Sequence, residues 1–191
     1  MKIDVVDNGG QWTHREWKSM DELGVESEII SNDTPTEEID VDGLILSGGA
    51  PRISDKEMDL GKTDYYLEEF DFPILGICVG AQYMAKHFGG KTGSAEFPEY
   101  GKAKLKVIEE NDLFVNVPKE FTVWESHNDE IKELSEDLIL LASSESCPIQ
   151  AFKHKDRKLY GLQFHPEVDH TEYGEQIFKN FIDECVSRCK T

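Results

Sequence analysis

Pro73-Ile74-Leu75-Gly76-Ile77-Cys78-Val79-Gly80-Ala81-Gln82 runs an apolar strand straight into a cysteine. Glycine lies two residues before Cys78 and two after, and residues 79–88 follow as a helix ending at Gly89-Gly90. A sharp strand-to-helix turn needs small neighbours, and it exposes its central residue at the carboxyl edge of a sheet. The helix start behind it offers unpaired N–H groups and a positive dipole end, which favour a thiolate. On this segment alone, a nucleophile and a buried, inert cysteine are about equally good accounts.

Upstream, the pattern repeats. Lys2–Asp7 reads as a strand ending in the turn residues Asn8-Gly9-Gly10. Residues 11–23 follow as a helix, with Trp12, Trp17, Met20 and Leu23 in rough helical register. Val25–Ile30 is a second strand, and Gly43–Leu46 is a third, stopped at Ser47-Gly48-Gly49. Residues 55–70 read as a helix. Alternating strand and helix implies parallel strands joined by right-handed crossovers.

Downstream, the pattern changes. Short strand-like runs fall at 102–108, 121–125, 138–142, 149–153 and 159–164, and a helix closes the chain over about 171–189. The expected fold is α/β: an open, mostly parallel twisted sheet with helices on both faces and a small antiparallel extension, in one domain spanning 1–191.

Composition narrows the function. The 191 residues carry 39 acidic and 20 basic side chains, a formal charge of −19. A nucleic-acid binder needs a basic footprint, and so does a protein docking on anionic lipid, so neither is expected. No apolar run approaches the length of a membrane span, and the first residues lack the apolar core of a signal peptide. Four scattered cysteines do not make a disulfide scaffold, and a reducing cytoplasm is expected.

Two further segments give Cys78 its partners. Tyr160-Gly161-Leu162-Gln163-Phe164-His165-Pro166-Glu167 delivers a histidine at a strand end, with a carboxylate two residues on. A thiol nucleophile needs an imidazole to take its proton and a carboxylate to orient that imidazole. Cys78 and His165 both end strands, so one sheet edge can bring them together. Leu46-Ser47-Gly48-Gly49 is the third segment: glycines after a strand can present backbone N–H groups to an oxyanion, together with that of Val79.

These segments resemble the class I (triad) glutamine amidotransferases over essentially the whole chain. Asp7-Asn8-Gly9-Gly10-Gln11, Trp124-Glu125-Ser126-His127-Asn128-Asp129 and the run His165–Gly174 carry the likeness further. The resemblance implies Cys78 as nucleophile, His165 as general base and acid, and Glu167 as the orienting carboxylate. It implies backbone donors at Gly48, Gly49 and Val79 for the oxyanion. It implies that Gln82, Ser126, His127 and Asp129 hold glutamine, Ser126 and His127 largely through backbone and Asp129 toward the α-ammonium. No metal is expected. The His165–Gly174 run resembles the branch whose ammonia passes to a separate ATP-pyrophosphatase subunit that converts XMP to GMP. ATP and Mg would then belong to that partner, since no G-x-x-x-x-G-K-[ST] loop occurs here. The family motif usually has Leu and His where Val79 and Ala81 stand. Val79 would act through its N–H; Ala81 removes an imidazole that is not one of the three catalytic groups.

Three alternatives stay open: a glutaminase serving anthranilate or aminodeoxychorismate synthesis, a stand-alone cysteine amide hydrolase, and a binding module with a relic site. Trp12 and Trp17 read as packing residues, and Cys147 and the His154 loop carry no assigned role. Cys185 and Cys189 are four apart on the last helix and read as structural or surface residues.

Overall fold

A computed structural model describes residues 1–55 and 58–188, with side chains up to 186. The elements, in chain order, are β1 (Ile3–Asp7), α1 (Thr13–Glu22), β2 (Ile29–Ser31), β3 (Gly43–Leu46), α2 (Thr63–Glu69), β4 (Ile74–Ile77), α3 (Val79–His87), β5 (Lys91–Val107), β6 (Glu120–Glu133), β7 (Leu138–Ser143), β8 (Ala151–His154), β9 (Leu159–Leu162) and α4 (Gly174–Arg188). Short 3-10 turns lie at Thr36–Glu38 and Asp112–Phe114.

The nine strands form one sheet in the order β2-β1-β3-β4-β9-β8-β7-β5-β6. From β2 to β9 the neighbours are parallel, and from β9 to β6 they are antiparallel. The four parallel core strands β1, β3, β4 and β9 are short and almost wholly buried. That is why they read as continuous apolar runs rather than alternating ones. Along β4, Leu75 and Ile77 face one core and Ile74 the other. Met20 of α1 with Ile177, Phe178 and Phe181 of α4 cover the first face; Tyr66 and Leu67 of α2 with Met84 of α3 cover the second.

The α/β fold with helices on both faces is the one expected. The antiparallel part is longer than its apolar runs suggest. β5 has 17 residues and β6 has 14, and they pair from Lys91↔Glu133 to Lys106↔Glu120 with register shifts at Lys91/Thr92 and Ser94/Glu99. At the Lys91 end, β5 is largely exposed, while the facing half of β6 buries the polar Glu125, His127 and Asp129, so no apolar alternation marks either strand there. Two other boundaries differ. Of the expected strand 25–30, only Ile29–Ser31 forms a ladder, with a single bridge Lys2↔Glu26 before it. The expected helix 55–70 is helical only over Thr63–Glu69; Gly61 takes φ +59°, which a helix cannot pass through. Cys185 is buried on α4, and Cys189 lies outside the described residues.

The chain leaves β1 toward β2 and returns on the other side of β1 as β3. In open parallel sheets, ligands bind at the carboxyl ends of the strands where such a reversal occurs. The loops after β1, β3, β4 and β9 all open on that edge.

Candidate active site

Cys78 sits between β4 and α3 with φ 49° and ψ −110°. A left-handed backbone on a non-glycine residue costs on the order of 1–3 kcal/mol and persists only where its surroundings enforce it. Here they do. Its N–H donates to Leu162 O of β9 at 2.7 Å, and its carbonyl accepts the Gln82 N–H at 2.9 Å. A Cβ on Gly80 would collide with the Leu46 carbonyl, and one on Gly76 would lie 2.8 Å from Ala81 N. The two flanking glycines are therefore what let the turn close.

His165 follows β9 by three residues. Its N–H donates to Trp124 O (3.0 Å), and its carbonyl accepts the Thr171 hydroxyl (2.6 Å), which in turn accepts the Trp124 N–H (2.9 Å). This brace fixes the backbone of the histidine against β6. The ring is pinned as well: Nδ1 lies 2.7 Å from Glu167 Oε1, and the Trp12 ring meets it edge-on at 4.5 Å. Nε2 is buried without a hydrogen-bond partner, and the Cys78 sulfur is its electrostatic neighbour. Burial disfavours the imidazolium, but Glu167 and Cys78 outweigh it and hold His165 well above its usual pKa. The Cys78 thiol, the His165 imidazole and the Glu167 carboxylate are thus brought together at one edge of the sheet.

Gly48 and Gly49 reach the same place, and one of them is already engaged. The Gly48 N–H donates to Glu16 Oε1 at 3.2 Å, so it is not the oxyanion donor expected of it. Among the described residues, the N–H groups of Gly49 and Val79 make no hydrogen bond, so these two remain as the donor pair. The β1 and β3 loops are stitched together by Asn8, whose N–H donates to Ser47 Oγ and whose side-chain amide donates to Ser47 O, both at 3.0 Å.

The expected glutamine-holding residues line a small recess with Cys78, Val79, Gly49 and Arg52. Ser126 places its carbonyl 4.0 Å from the Cys78 sulfur. Gln82 is buried, and its amide nitrogen donates to Asp129 O (2.7 Å) and Gln163 Oε1 (3.0 Å). His127 acts structurally, its Nδ1 3.0 Å from Asp129 O. Asp129 differs most from expectation. Its carboxylate is saturated by Arg52 Nη2 (2.6 Å) and Nε (3.2 Å) and by the Ser54 N–H (2.9 Å) and hydroxyl (2.7 Å). Burial pushes this acid up, but those donors win and its pKa is lowered. In this arrangement Asp129 ties down the 50–54 loop and does not present its charge to a substrate ammonium.

A cavity of about 410 Å³ opens beside the recess, lined by Trp12, Glu16, Gly48, Gly49, Cys78, Ser126 and His165 among others. A larger cavity of about 680 Å³, between α1 and the loop before α4, holds neither Cys78 nor His165. Donor atoms of Glu99, His127 and Cys147 also cluster within 4.8 Å. They are already engaged: His127 Nε2 meets Glu99 Oε2 at 3.1 Å, and Cys147 Sγ donates to the backbone carbonyl of Ile149 at 3.5 Å. Burial also pushes the Cys147 thiol far up, which opposes the thiolate a metal would need.

Glu16 and Arg52 are site residues that the sequence does not single out, and Trp12 reads there only as a packing residue. Glu16 does leave a trace: it falls four residues after Trp12 and four before Met20, inside the stripe read as apolar.

Comparison with known proteins agrees with this geometry. The family model "Glutamine amidotransferase class-I" matches residues 4–185. A Thermoplasma volcanium protein, named as a subunit of glutamine-hydrolyzing GMP synthase, is 55% identical over 97% of this chain and 92% of its own length. A Methanocaldococcus jannaschii protein of the same name is 49% identical over 96% of this chain and 97% of its own length. A crystal structure of a protein from Thermoplasma acidophilum, described as a GMP synthase subunit, superposes with a TM-score of 0.95 at 53% identity, covering 100% of this chain and 96% of that one. The elbow at Cys78, the His165–Glu167 pair and these matches lead to one conclusion: the chain belongs to the class-I glutamine amidotransferases.

Proposed function

We propose that this chain is the glutaminase subunit of a two-subunit GMP synthase, hydrolysing glutamine to glutamate and ammonia at Cys78. The observation that carries the chemistry is His165, clamped by Glu167 on one nitrogen and facing the Cys78 sulfur with the other. The branch rests on the relatives' shared name, which favours GMP synthesis over anthranilate or aminodeoxychorismate synthesis.

The thiolate of Cys78 adds to the side-chain amide carbon of glutamine, and the carbonyl oxygen gathers charge between the N–H groups of Gly49 and Val79. Each such donor is worth about 3 kcal/mol in comparable sites. His165 gives its proton to the departing nitrogen; ammonia leaves and a γ-glutamyl thioester remains. His165 then takes a proton from water, which attacks the thioester and releases glutamate and the thiol. Glu167 keeps the imidazole oriented through both steps. Gln82 and His127 hold the backbone of the recess, and the Ser126 carbonyl forms its wall. Ammonia then passes to an ATP-pyrophosphatase subunit, where ATP and Mg would act on XMP. Reducing surroundings protect a catalytic thiol from oxidation, which favours the cytoplasm. Among the described residues no helix is long and apolar enough to cross a membrane.

The test is ammonia release from glutamine, with and without an archaeal ATP-pyrophosphatase subunit, ATP and XMP. Release should rise when the partner and both nucleotides are present and vanish in Cys78→Ala. Release that survives Cys78→Ala, or none in any mixture, would refute the proposal.

A further inference from the structure

Glu16 is fully buried in the first turn of α1, yet it carries an ionisable group. Such burial without an ion pair is rare. Oε1 accepts the Gly48 N–H, and Oε2 is buried with no hydrogen-bond partner. The residue lines the same cavity as Cys78, Gly48, Gly49 and His165. Glu167 stands in the same electrostatic neighbourhood, and its Oε2 is also buried and unpaired.

We propose that Glu16 is a positioning residue of the Cys78 site, whose carboxyl oxygen fixes the Gly48 peptide so that the next N–H, that of Gly49, is aimed with that of Val79 at the substrate's oxygen. Gly48 and Gly49 lack side chains that would hold their peptides, and the loop needs an outside anchor. The Gly48 carbonyl accepts the Ser47 hydroxyl within the loop (2.9 Å) and the Ala50 N–H reaches Gly9 O (3.4 Å), while the Gly48 N–H itself is held from α1 by Glu16 (3.2 Å). This rests on the glutaminase reading above.

The carboxyl does this work as a neutral acid. Two carboxylates in one dry site do not both ionise. Glu167 has the His165 imidazole on its Oε1, whereas Glu16 has one backbone N–H and faces Glu167, His165 and Cys78. Burial first, and then the charge of Glu167, hold Glu16 well above the usual carboxylate range. The proton therefore stays on Glu16. An uncharged anchor also suits the step it serves, because a carboxylate there would repel the thiolate and the forming oxyanion.

Glu16→Gln keeps a carbonyl oxygen for Gly48 and cannot ionise; Glu16→Leu fills the space and removes the acceptor. With the ATP-pyrophosphatase subunit present, Glu16→Gln should keep kcat within about threefold, while Glu16→Leu should lower it on the order of tenfold to a hundredfold with KM nearly unchanged. Should the leucine variant fail to fold, Glu16→Asp withdraws the oxygen by one methylene and carries the same prediction. Thermal melts of the chain alone supply a second readout. A carboxyl whose native pKa is raised is bound to its proton longer in the folded state, so its contribution to stability falls as pH rises above the ordinary carboxylate range. The melting temperature of Glu16→Gln relative to the parent should therefore climb between pH 5 and pH 8. A glutamine variant as impaired as the leucine one, an unimpaired leucine variant, or a pH-independent melting difference would overturn the proposal. An inactive parent chain would instead count against the glutaminase reading, and the melts would still report on Glu16.

Discussion

His127 shows how much of this site is held together by buried charge pairs. Its Nε2 lies 3.1 Å from Glu99 Oε2 and 3.3 Å from Glu125 Oε2, and all three side chains are nearly or fully buried. Burial opposes the imidazolium, but the two carboxylates win and push its pKa up to about 10. Burial also opposes the charge on both carboxylates. It keeps Glu125 above the usual range, whereas His127, Ser146 and Gln150 together bring Glu99 below it, so Glu99 is the firmer counter-ion. A histidine with a raised native pKa stabilises fully below its unfolded value near 6.5, and that stability is lost as pH climbs through the folded value. His127→Ala should therefore cost about 3–5 kcal/mol at neutral pH, because it strands buried carboxylates. The penalty should shrink as denaturant melts are repeated toward pH 10. At this scale the triad is legible because Cys78 and His165 follow recognisable strands and Glu167 lies two residues beyond the histidine. Glu16 and Trp12 are not, since a helix stripe discloses that a residue is buried but not what it faces.

At the scale of elements, two joints decide whether the triad forms. The first is the elbow, where Gly80 lies against the Leu46 carbonyl. Gly80→Ala should cost on the order of 2–3 kcal/mol through overpacking and lower kcat, measured by melts and ammonia release together. The second is Thr171, whose hydroxyl ties the His165 carbonyl to β6. Thr171→Val keeps the shape but strands a carbonyl and an N–H. It should cost about 1–3 kcal/mol in denaturant melts and reduce kcat more than KM. The strands β1, β3 and β4 are readable because strands buried on both faces must be apolar throughout. The hairpin β5–β6 is legible over only part of its length. Over the rest, β5 is exposed and β6 buries polar side chains such as Glu125, His127 and Asp129, so neither strand carries a hydrophobic period. The region before α2 misleads for a similar reason: Leu60 is buried from a loop rather than from a helix face.

Across the whole molecule, the sheet sets one edge apart for chemistry. Four loops meet there, and the two cores on either side hold the strands that carry them. The chain's surplus of acidic over basic side chains, 39 against 20, favours solubility. The partner subunit is legible only through the likeness to relatives, since nothing in one chain's periodicity encodes a second chain. The central claim, that Cys78 is the residue that takes the glutamyl group, has a direct test. The chain, with the ATP-pyrophosphatase subunit, ATP and XMP, is mixed with isotope-labelled glutamine, quenched in acid and digested. The label should be found as a thioester on the peptide containing Cys78, and it should accumulate when His165→Ala slows the second step more than the first. Label on the peptide containing Cys147 or Cys185, or no covalent label while ammonia is released, would contradict the account.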